Sequence, residues 1–487
     1  MTDNQAKNIP EFAIVGHPNE GKSSVVSTLA EDDSVRISPV PGETVECQTF
    51  PVIIDGQEII RFTDTPGFQN PMQTLEWMRS YRGADELIVT LFRENHRDNP
   101  DFRDDTELFG PIEQGAGIIY VVDGSRPLRK SDKAEMEILR LTGRPRMAVI
   151  NCKEDETEYI AQWKSEFRKH FNSVRLFNAH RATYAERIEL LETLTSIDQD
   201  WQPALRKVIS AFKQDWENRI FQTADIISAM LADCITHTVA RNYTEKSNDE
   251  AMKKELQAEY NRAIEKIEKQ AHNRIRKLFK HNIFNYDLPP RSILHEALFN
   301  EKTWQFLGLT RNQLITIAGL TGGAVGAALD AAAAGLTFGI FTAIGGIGAA
   351  GWAALGGGKK LSQSKVVGMN LGGRQIRIGP VEQIQFLYIL LDRVLIFYSH
   401  VINWAHGRRD YPPVSAQRKT EKAGITTQWD DRRRKICSLF FSAVRSRDEK
   451  AVEKSRRELK EMLCEALYRL STSERRYGLI MSEKSEN

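Results

Sequence analysis

An eight-residue loop near the N-terminus has the residue types and the spacing that bind phosphate. The segment GHPNEGKS, from Gly16 to Ser23, matches the pattern GxxxxGK[ST]. In such a loop the glycines let backbone N–H groups surround the phosphates, the lysine contacts the β- and γ-phosphates, and the final hydroxyl binds Mg²⁺. The apolar run FAIV precedes the loop and the helical pattern SSVVSTLA follows it, as the motif requires. The predicted nucleotide-binding residues of this loop are Gly16, Asn19, Glu20, Gly21, Lys22, Ser23 and Ser24.

Two further segments supply the expected contacts to magnesium and to the γ-phosphate. Asp64 begins the segment DTPG directly after the predicted strand IIRFT, where a carboxylate fits the outer shell of Mg²⁺. Gly67 ends that segment and can offer its N–H to the γ-phosphate, moving when this phosphate leaves. Thr44, in the segment PGET, is placed to complete the Mg²⁺ shell from a mobile loop. The predicted metal ligands are Ser23, Thr44 and Asp64, and the residues predicted to support catalysis are Lys22, Thr44, Gly67 and Asn19.

The motifs GHPNEGKSS, PGET and DTPGF resemble the P-loop, switch I and switch II of the Era/TrmE-like bacterial GTPases. The resemblance covers about residues 11–195 and implies Mg²⁺-dependent GTP hydrolysis. In that group a hydrophobic residue follows DxPG, as Phe68 does here, so the side chain that aligns water in Ras-type enzymes is missing. Several members use a potassium ion instead, held partly by an asparagine at the position of Asn19, and the ion stabilises the charge that builds up in phosphoryl transfer. Asn19 is thus a candidate potassium ligand; the alternative is an asparagine that only shapes the loop.

Base recognition follows a less regular pattern. The family pattern is NKxD after the fifth strand, whereas the strand MAVI is followed here by NCKED. In the direct register Asn151 keeps its place, Cys152 replaces the lysine, and Glu154 supplies the carboxylate that accepts the guanine N–H groups. A register that uses Lys153 and Asp155 requires one extra residue.

A last base contact is expected after the sixth strand. The segment Asn178-Ala179-His180 follows VRLF, where the family has Ser-Ala-Lys. The resemblance implies that Ala179 offers its backbone N–H to the guanine oxygen. The expected ligands are therefore GTP and GDP rather than adenine nucleotides, because the switch motifs are those of GTPases.

The elements that must position these residues form an alternating pattern up to residue 198. Short apolar strands alternate with helical stretches such as 131–142 and 156–171, which indicates a mainly parallel sheet covered on both faces. The segment 85–114 is helical and charged, and it is longer than a minimal G domain needs. The six predicted strands are 12–16, 47–54, 58–63, 117–123, 147–151 and 174–178.

Residues 199–487 have mainly helical patterns. One helix is predicted to begin near Pro203, and a second has an apolar stripe at three- and four-residue steps between Met252 and Leu278. Two more helical stretches are predicted near 381–406 and 430–470, the first as an amphipathic core helix. A small β-hairpin is predicted at 365–378, turning at two glycines. The predicted fold is thus an α/β P-loop G domain with a six-stranded sheet, residues 1–198, followed by a mainly α-helical domain, residues 199–487.

A Gly/Ala-rich segment at 312–358 stands apart in composition, since Asp330 is its only charged residue. The uncharged run 331–357 is long enough to span about 30 Å of hydrocarbon. Small residues at four-residue spacing let helices approach closely. Three interpretations are open: a membrane-inserting helical hairpin, a hairpin buried in the helical domain, or a self-association surface.

The overall composition narrows the class of protein. With 67 basic and 65 acidic residues the net charge is +2, which argues against a nucleic-acid coat. Five cysteines without a CxxC pair indicate neither a disulfide framework nor a zinc site, and so favour a reducing cytoplasm. The first residues, MTDNQAKNIPEF, have no apolar run of the kind found in a secretory signal. We expect a cytoplasmic protein, with association with the inner face of the cell membrane through 312–358 as one interpretation.

The chain as a whole resembles a bacterial GTPase family in which an Era-like domain precedes a long helical region of unknown function. The interpretation that follows is a GTP-hydrolysing molecular switch, with the helical half as effector or membrane-associating region. Two alternatives remain: a GTP-binding module with little turnover, suggested by NCKE, and a ribosome- or RNA-linked GTPase, suggested by family analogy.

Overall fold

The computed structural model describes residues 9–30, 46–84, 87–152, 158–178, 184–243, 249–279, 292–320, 365–366, 369–370, 374–402 and 424–472. These residues form two compact units. The first holds the described residues up to Glu217 together with Ile402 and residues 471–472. The second holds those from Asn218 to Val401 and from 424 to Leu470. The domain boundary predicted at residue 198 stays a prediction.

A six-stranded sheet, in the order β2-β3-β1-β4-β5-β6, forms the centre of the first unit. Only the β2–β3 pair is antiparallel, and every other pair is parallel. The central strand β4 is almost completely buried, as expected for a parallel strand covered on both faces. The six predicted strands are therefore confirmed, with ends that differ by one residue. The strands are β1 Glu11–Val15, β2 Gln48–Ile54, β3 Gln57–Asp64, β4 Gly117–Asp123, β5 Arg146–Asn151 and β6 Ser173–Phe177.

Helices cover both faces of this sheet and bury two separate apolar clusters. The cluster on one face includes Val25 and Leu191 from two of the helices, and the other includes Phe109 and Trp163. The segment predicted to be helical and charged, 85–114, holds two helices between β3 and β4. The helices of this unit are α1 Lys22–Ala30, α2 Pro71–Ser80, α3 Ile88–His96, α4 Arg103–Glu113, α5 Lys130–Leu141, α6 Ile160–Phe167 and α7 Tyr184–Leu194.

The second unit is mainly helical, as predicted. The helix after Pro203 begins at Gln202, in the part of the chain assigned to the first unit, and runs to Thr236. The striped helix runs from Asp249 to Leu278, and its stripe residues Leu256, Tyr260, Ile264, Ala271 and Ile275 are buried. The helical stretch predicted near 430–470 consists of two helices, because Arg447 adopts the left-handed conformation at the end of the first. The remaining helices in the described part of the chain are α8 Gln202–Thr236, α9 Asp249–Leu278, α10 Glu301–Phe306, α11 Arg311–Leu320, α12 Ile384–Ile402, α13 Asp431–Ser446 and α14 Glu449–Thr472.

The predicted β-hairpin at 365–378 is wrong. Strand β10, Arg374–Ile378, pairs antiparallel over five residues with β7, Val239–Tyr243, which the sequence interpretation missed. The short strands β8, Lys365–Val366, and β9, Met369–Asn370, pair with each other instead. A two-residue partner satisfies fewer backbone N–H and C=O groups than the five-residue strand that follows α8, so the distant pairing is favoured.

Helix α12 is long and apolar enough to cross a membrane by length and composition, with a mean hydropathy of 1.4. Most of its apolar window, 78%, is buried inside the protein. Its Asp392 and Arg393 both have buried partners in the same unit, so the predicted core helix is confirmed. Of the Gly/Ala-rich segment, residues 321–358, including Asp330, lie outside the described residues.

Candidate nucleotide site

The phosphate loop joins β1 to α1 at the carboxyl edge of the sheet. Gly16 has a φ of 151°, and a Cβ atom there would clash with the carbonyl oxygen of Val121. Asn19 and Gly21 also have positive φ values, 68° and 92°. Asparagine and glycine adopt this conformation more readily than other residues, so the residue types of the loop match its backbone.

The ammonium group of Lys22 lies inside this loop. Its Nζ donates hydrogen bonds to the carbonyl oxygens of Gly16, at 3.2 Å, and His17, at 3.3 Å. Burial lowers the pKa of Lys22, because desolvation disfavours the charged form. Anionic phosphates in the loop would compensate that cost, which is the electrostatic basis of the expected lysine contact.

Ser23 and Asp64 come together from two different elements. The Ser23 hydroxyl donates a 2.6 Å hydrogen bond to Oδ2 of Asp64. Strands β1 and β3 are parallel neighbours, with Ile14 opposite Asp64, so the loop after β1 and the end of β3 share one edge. A hydroxyl and a carboxylate oxygen at this separation suit a hard cation such as Mg²⁺. Thr44, the third predicted ligand, lies outside the described residues.

The segment after β3 approaches the phosphate loop very closely. A Cβ atom on Gly67 would lie 2.5 Å from Cδ of Pro18, so only glycine fits there. The next side chain, Phe68, is 2% exposed and packs edge-on against Phe109 of α4. A buried phenyl ring offers no hydrogen bond to a water molecule, so hydrolysis requires another group or ion to orient the attacking water.

The structure places the Glu20 carboxylate in a buried polar network that the sequence analysis missed. Glu20 is 3% exposed, accepts the backbone N–H of Asp123, and pairs with Arg126 at 2.6 Å. Arg126 also forms two hydrogen bonds, 2.8 and 2.9 Å, with Asp132 at the start of α5. Because the Glu20 side chain makes these contacts within the protein, the nucleotide contact predicted for Glu20 would be made by its backbone. That contact stays a prediction. No local sequence motif signals a pair that is formed by residues this far apart in the chain.

His17 forms a second unforeseen contact beneath the loop. Its Nδ1 lies 3.3 Å from Oε1 of the fully buried Glu135, and Tyr120 donates a 2.8 Å hydrogen bond to Oε2 of the same carboxylate. The hydrogen bond with Glu135 raises the pKa of His17. The Glu135 carboxylate thus links the His17 side chain of the loop to Tyr120 of β4.

The base-recognition residues are described only in part. Asn151, fully buried at the end of β5, donates a 3.0 Å hydrogen bond from Nδ2 to the carbonyl of Glu20, which ties the base strand to the phosphate loop. Cys152 follows, with its backbone N–H bonded to the carbonyl of Phe177 at 3.0 Å. Glu154 and Ala179, and the alternative pair Lys153 and Asp155, lie outside the described residues. Ser24 is buried in the first turn of α1, where its carbonyl accepts the Thr28 hydroxyl.

Comparisons with known proteins identify both parts of the chain. A family model described as "50S ribosome-binding GTPase" matches residues 11–152, and one described as "Domain of unknown function (DUF3482)" matches residues 165–465. GTPase Der of Thermotoga sp. (strain RQ2) is 26% identical over 171 residues, which cover 34% of this chain and 33% of that protein. GTPase Der of Streptococcus agalactiae serotype Ia is 24% identical over 255 residues, which cover 52% of this chain and 49% of that protein.

The chain thus spans about a third to a half of the length of these curated relatives. Among solved structures, Aquifex aeolicus Era bound to GDP.AlF4- covers 55% of this chain and 89% of that chain, at 15% identity and a TM-score of 0.28. These values are low, so the fold assignment rests on the sheet order and the family match. By its family match and its sheet order the N-terminal part of the chain is a P-loop GTPase domain, and the chain belongs to the family described by the DUF3482 domain.

Proposed function

We propose that the chain binds GTP with Mg²⁺ and hydrolyses it to GDP and phosphate as a molecular switch. The observation that carries this proposal is the 2.6 Å contact between Ser23 and Asp64 beside the buried Lys22. Two motifs that are distant in sequence there provide a cation-binding pair next to a phosphate-binding loop. Mg²⁺, when bound, would neutralise the phosphate charge, with Thr44 completing its ligands.

Within this proposal the chain's own residues position and release the γ-phosphate. Lys22 holds the β- and γ-phosphates, and the Gly67 N–H contacts the γ-phosphate from a segment that lies against Pro18. Loss of the γ-phosphate frees that segment, which is the switching event. Because Phe68 cannot align water, Asn19 is proposed to help hold a potassium ion that stabilises the transition-state charge.

Guanine specificity belongs to the same proposal. Asn151 lies at the carboxyl end of β5, where Glu154 and Ala179 would complete the contacts to the base. The match to Der-type GTPases favours guanine over adenine. Competition between a fluorescent GTP analogue and excess ATP or GTP tests this directly: only GTP should displace the probe.

The decisive test of hydrolysis is phosphate release from GTP by the full chain, with and without Mg²⁺. Ser23→Ala removes one of the paired ligands, so we expect turnover to fall about 100-fold, as for removal of a charge-stabilising group. Ser27→Ala, one turn further along α1, is the matched control and should retain normal turnover. Equal turnover in the two variants would contradict the proposed Mg²⁺ site.

The role of the helical half is proposed on composition alone. The segment 312–358 has one charged residue, Asp330, so we propose that it inserts in a membrane. The chain would then be cytoplasmic and lie at the inner face of the cell membrane in one nucleotide state. A hairpin buried in the helical domain and self-association through the same segment are the competing proposals. Flotation with liposomes in GDP and in a non-hydrolysable GTP analogue, alongside sedimentation without lipid, separates the three, because a buried hairpin would give neither flotation nor a larger assembly.

A ribosome-linked role is the second candidate, because the matching family is described as ribosome-binding. Against it stands the near balance of charge, +2 in 487 residues, where a phosphate-backbone surface needs clustered basic residues. Co-sedimentation with 50S subunits at low and high salt tests it. Binding that falls steeply with salt would support contact with RNA.

A further inference from the structure

Two helices, α2 and α3, are inserted in the chain between Phe68 and α4. Helix α4 leads through residues 114–116 directly into β4, as the connecting helix of a minimal sheet would. The inserted part therefore begins just after switch II, because α2 starts at Pro71, three residues after Phe68 and four after Gly67.

Hydrogen bonds close the base of this insertion. The Gln69 side chain donates to the carbonyl of Pro100 at 3.2 Å and accepts the Asp104 N–H at 3.3 Å. The Asn70 side chain donates to the carbonyl of Asp101 at 2.5 Å. Residues 69–70, where the insertion begins, are thus hydrogen-bonded to residues 100–104, where α4 begins.

Asp105 is the buried centre of this junction. Its Oδ2 accepts the backbone N–H groups of Gln69, at 3.2 Å, and Asn70, at 3.1 Å, and its Oδ1 accepts the Thr74 hydroxyl at 3.3 Å. The side chain has no exposed surface. Burying a carboxylate costs free energy unless it is well hydrogen-bonded. The three hydrogen bonds to Asp105 offset that cost and fix the backbone at Gln69 and Asn70 relative to α4.

Two residues further along α4, Glu107 binds the residue that directly precedes β2. Its Oε1 accepts the backbone N–H of Cys47 at 3.0 Å, and its carbonyl accepts the Cys47 thiol at 3.4 Å. Cys47 lies three residues after Thr44 in the sequence, just as Asn70 lies three residues after Gly67. The start of α4 thus carries two carboxylates. Asp105 binds backbone N–H groups two and three residues after Gly67, and Glu107 binds the N–H three residues after Thr44.

We propose that the first turns of α4 couple the start of β2, which follows the PGET motif in the sequence, to switch II, with Asp105 and Glu107 as the positioning residues that transmit movement between them. The edge-on packing of Phe68 on Phe109, one turn further along the helix, adds an apolar contact to the same coupling. The inserted helices are then part of the switch and move with it. This inference rests on the proposed GTP-dependent switch.

The test is a double-mutant cycle with Asp105→Ala, Glu107→Ala and the double variant in the full chain. The readouts are affinities for fluorescent GDP and for a fluorescent non-hydrolysable GTP analogue, both in Mg²⁺, and kcat and KM for GTP. Each single variant should lower the preference for the GTP analogue over GDP about tenfold, the effect of losing charge-assisted hydrogen bonds. Because both residues serve one coupling, the double variant should lose no more than the larger single effect. Affinity for GDP should stay within about twofold, since the phosphate loop is untouched.

Two controls separate coupling from damage to the fold. Asp104→Ala removes the neighbouring carboxylate, which is only partly buried, and should leave the preference unchanged. Asp105→Asn keeps an acceptor for the Gln69 and Asn70 N–H groups and should restore most of it. If Asp105→Ala does not fold, the less buried Glu107→Ala carries the test alone, and an unchanged preference there overturns the proposal.

Additive effects in the double variant, or equal losses for GDP and the GTP analogue, would also overturn the coupling. Failure of the wild-type chain to bind either nucleotide would instead refute the proposed function. Normal binding and turnover in the wild type, with an unchanged preference in the variants, would refute the coupling alone.

Discussion

Charged side chains are buried in both units, but their partners differ. In the GTPase domain, Lys22 faces backbone carbonyls of the loop that contains it, and Glu20 joins the same loop to Arg126. In the helical unit, Arg393 pairs with Glu268 at 2.6 Å, and each side chain is 6% exposed. The buried charges of Lys22 and Glu20 therefore lie at a predicted ligand site, whereas the Arg393–Glu268 pair joins two helices.

The neighbouring Asp392 makes the contrast sharper. Its two carboxylate oxygens accept the backbone N–H groups of Gly308, at 2.6 Å, and Thr426, at 2.7 Å. A Cβ atom on Gly424 would clash with the same carboxylate, so a glycine is required there. Asp392 satisfies loop backbone inside the unit, which is a structural role for a charge that lies in the middle of an apolar helix.

The largest effect on stability should come from breaking the pair in the helical unit. Arg393→Met or Glu268→Met leaves one buried charge without its partner and should lower the free energy of unfolding by about 3–5 kcal/mol. The double variant should recover most of the loss, because two apolar side chains of similar size replace the pair. Urea unfolding followed by circular dichroism measures both. A double variant as unstable as the singles would mean that the pair is not the source of the effect, and nucleotide affinity should be unchanged throughout.

Asp105 in the GTPase domain should show a smaller, pH-dependent effect. Burial raises its pKa from 3.8 to about 6. Since the folded state then favours the protonated form, the stabilising contribution is full below about pH 4 and is lost as the pH rises through 6. Asp105→Asn does not ionise, so its stability relative to wild type should rise between pH 4 and pH 7 by up to about 3 kcal/mol. Thermal unfolding at a series of pH values checks this, and a constant difference would contradict it.

The smallest expected effect concerns potassium. Asn19 has a φ of 68°, so Asn19→Gly removes the side-chain amide without straining the loop. If the amide helps to hold K⁺, wild-type hydrolysis should be about tenfold faster in KCl than in NaCl, and the variant should lose that difference. Equal wild-type rates in the two salts would remove the potassium proposal and leave GTP hydrolysis itself intact.

Sequence patterns predicted the elements that are determined by residues close together in the chain. The apolar run from Gly117 to Asp123 is a strand because it is buried on both faces, and the GHPNEGKS loop is fixed by its glycines and its neighbours. The pairing of β10 with β7 could not be predicted, since its residues are separated by more than a hundred positions. The contacts Glu20–Arg126, 106 positions apart, and Asp105–Gln69, 36 positions apart, could not be predicted either, because they depend on helices meeting loops in three dimensions.

The central claim is that the loop from Gly16 to Ser23 holds a guanine nucleotide, and the binding of a fluorescent GTP analogue to Lys22→Ala tests it most directly. Lys22 contacts only backbone carbonyls of its own loop in the hydrogen bonds described above, so the variant should fold normally by circular dichroism. Its affinity should fall at least about 100-fold, because a buried cation against two phosphates is lost. Lys207→Ala, an exposed lysine on α8, is the control and should bind as the wild type does. Unchanged affinity in a folded Lys22→Ala protein would contradict the account.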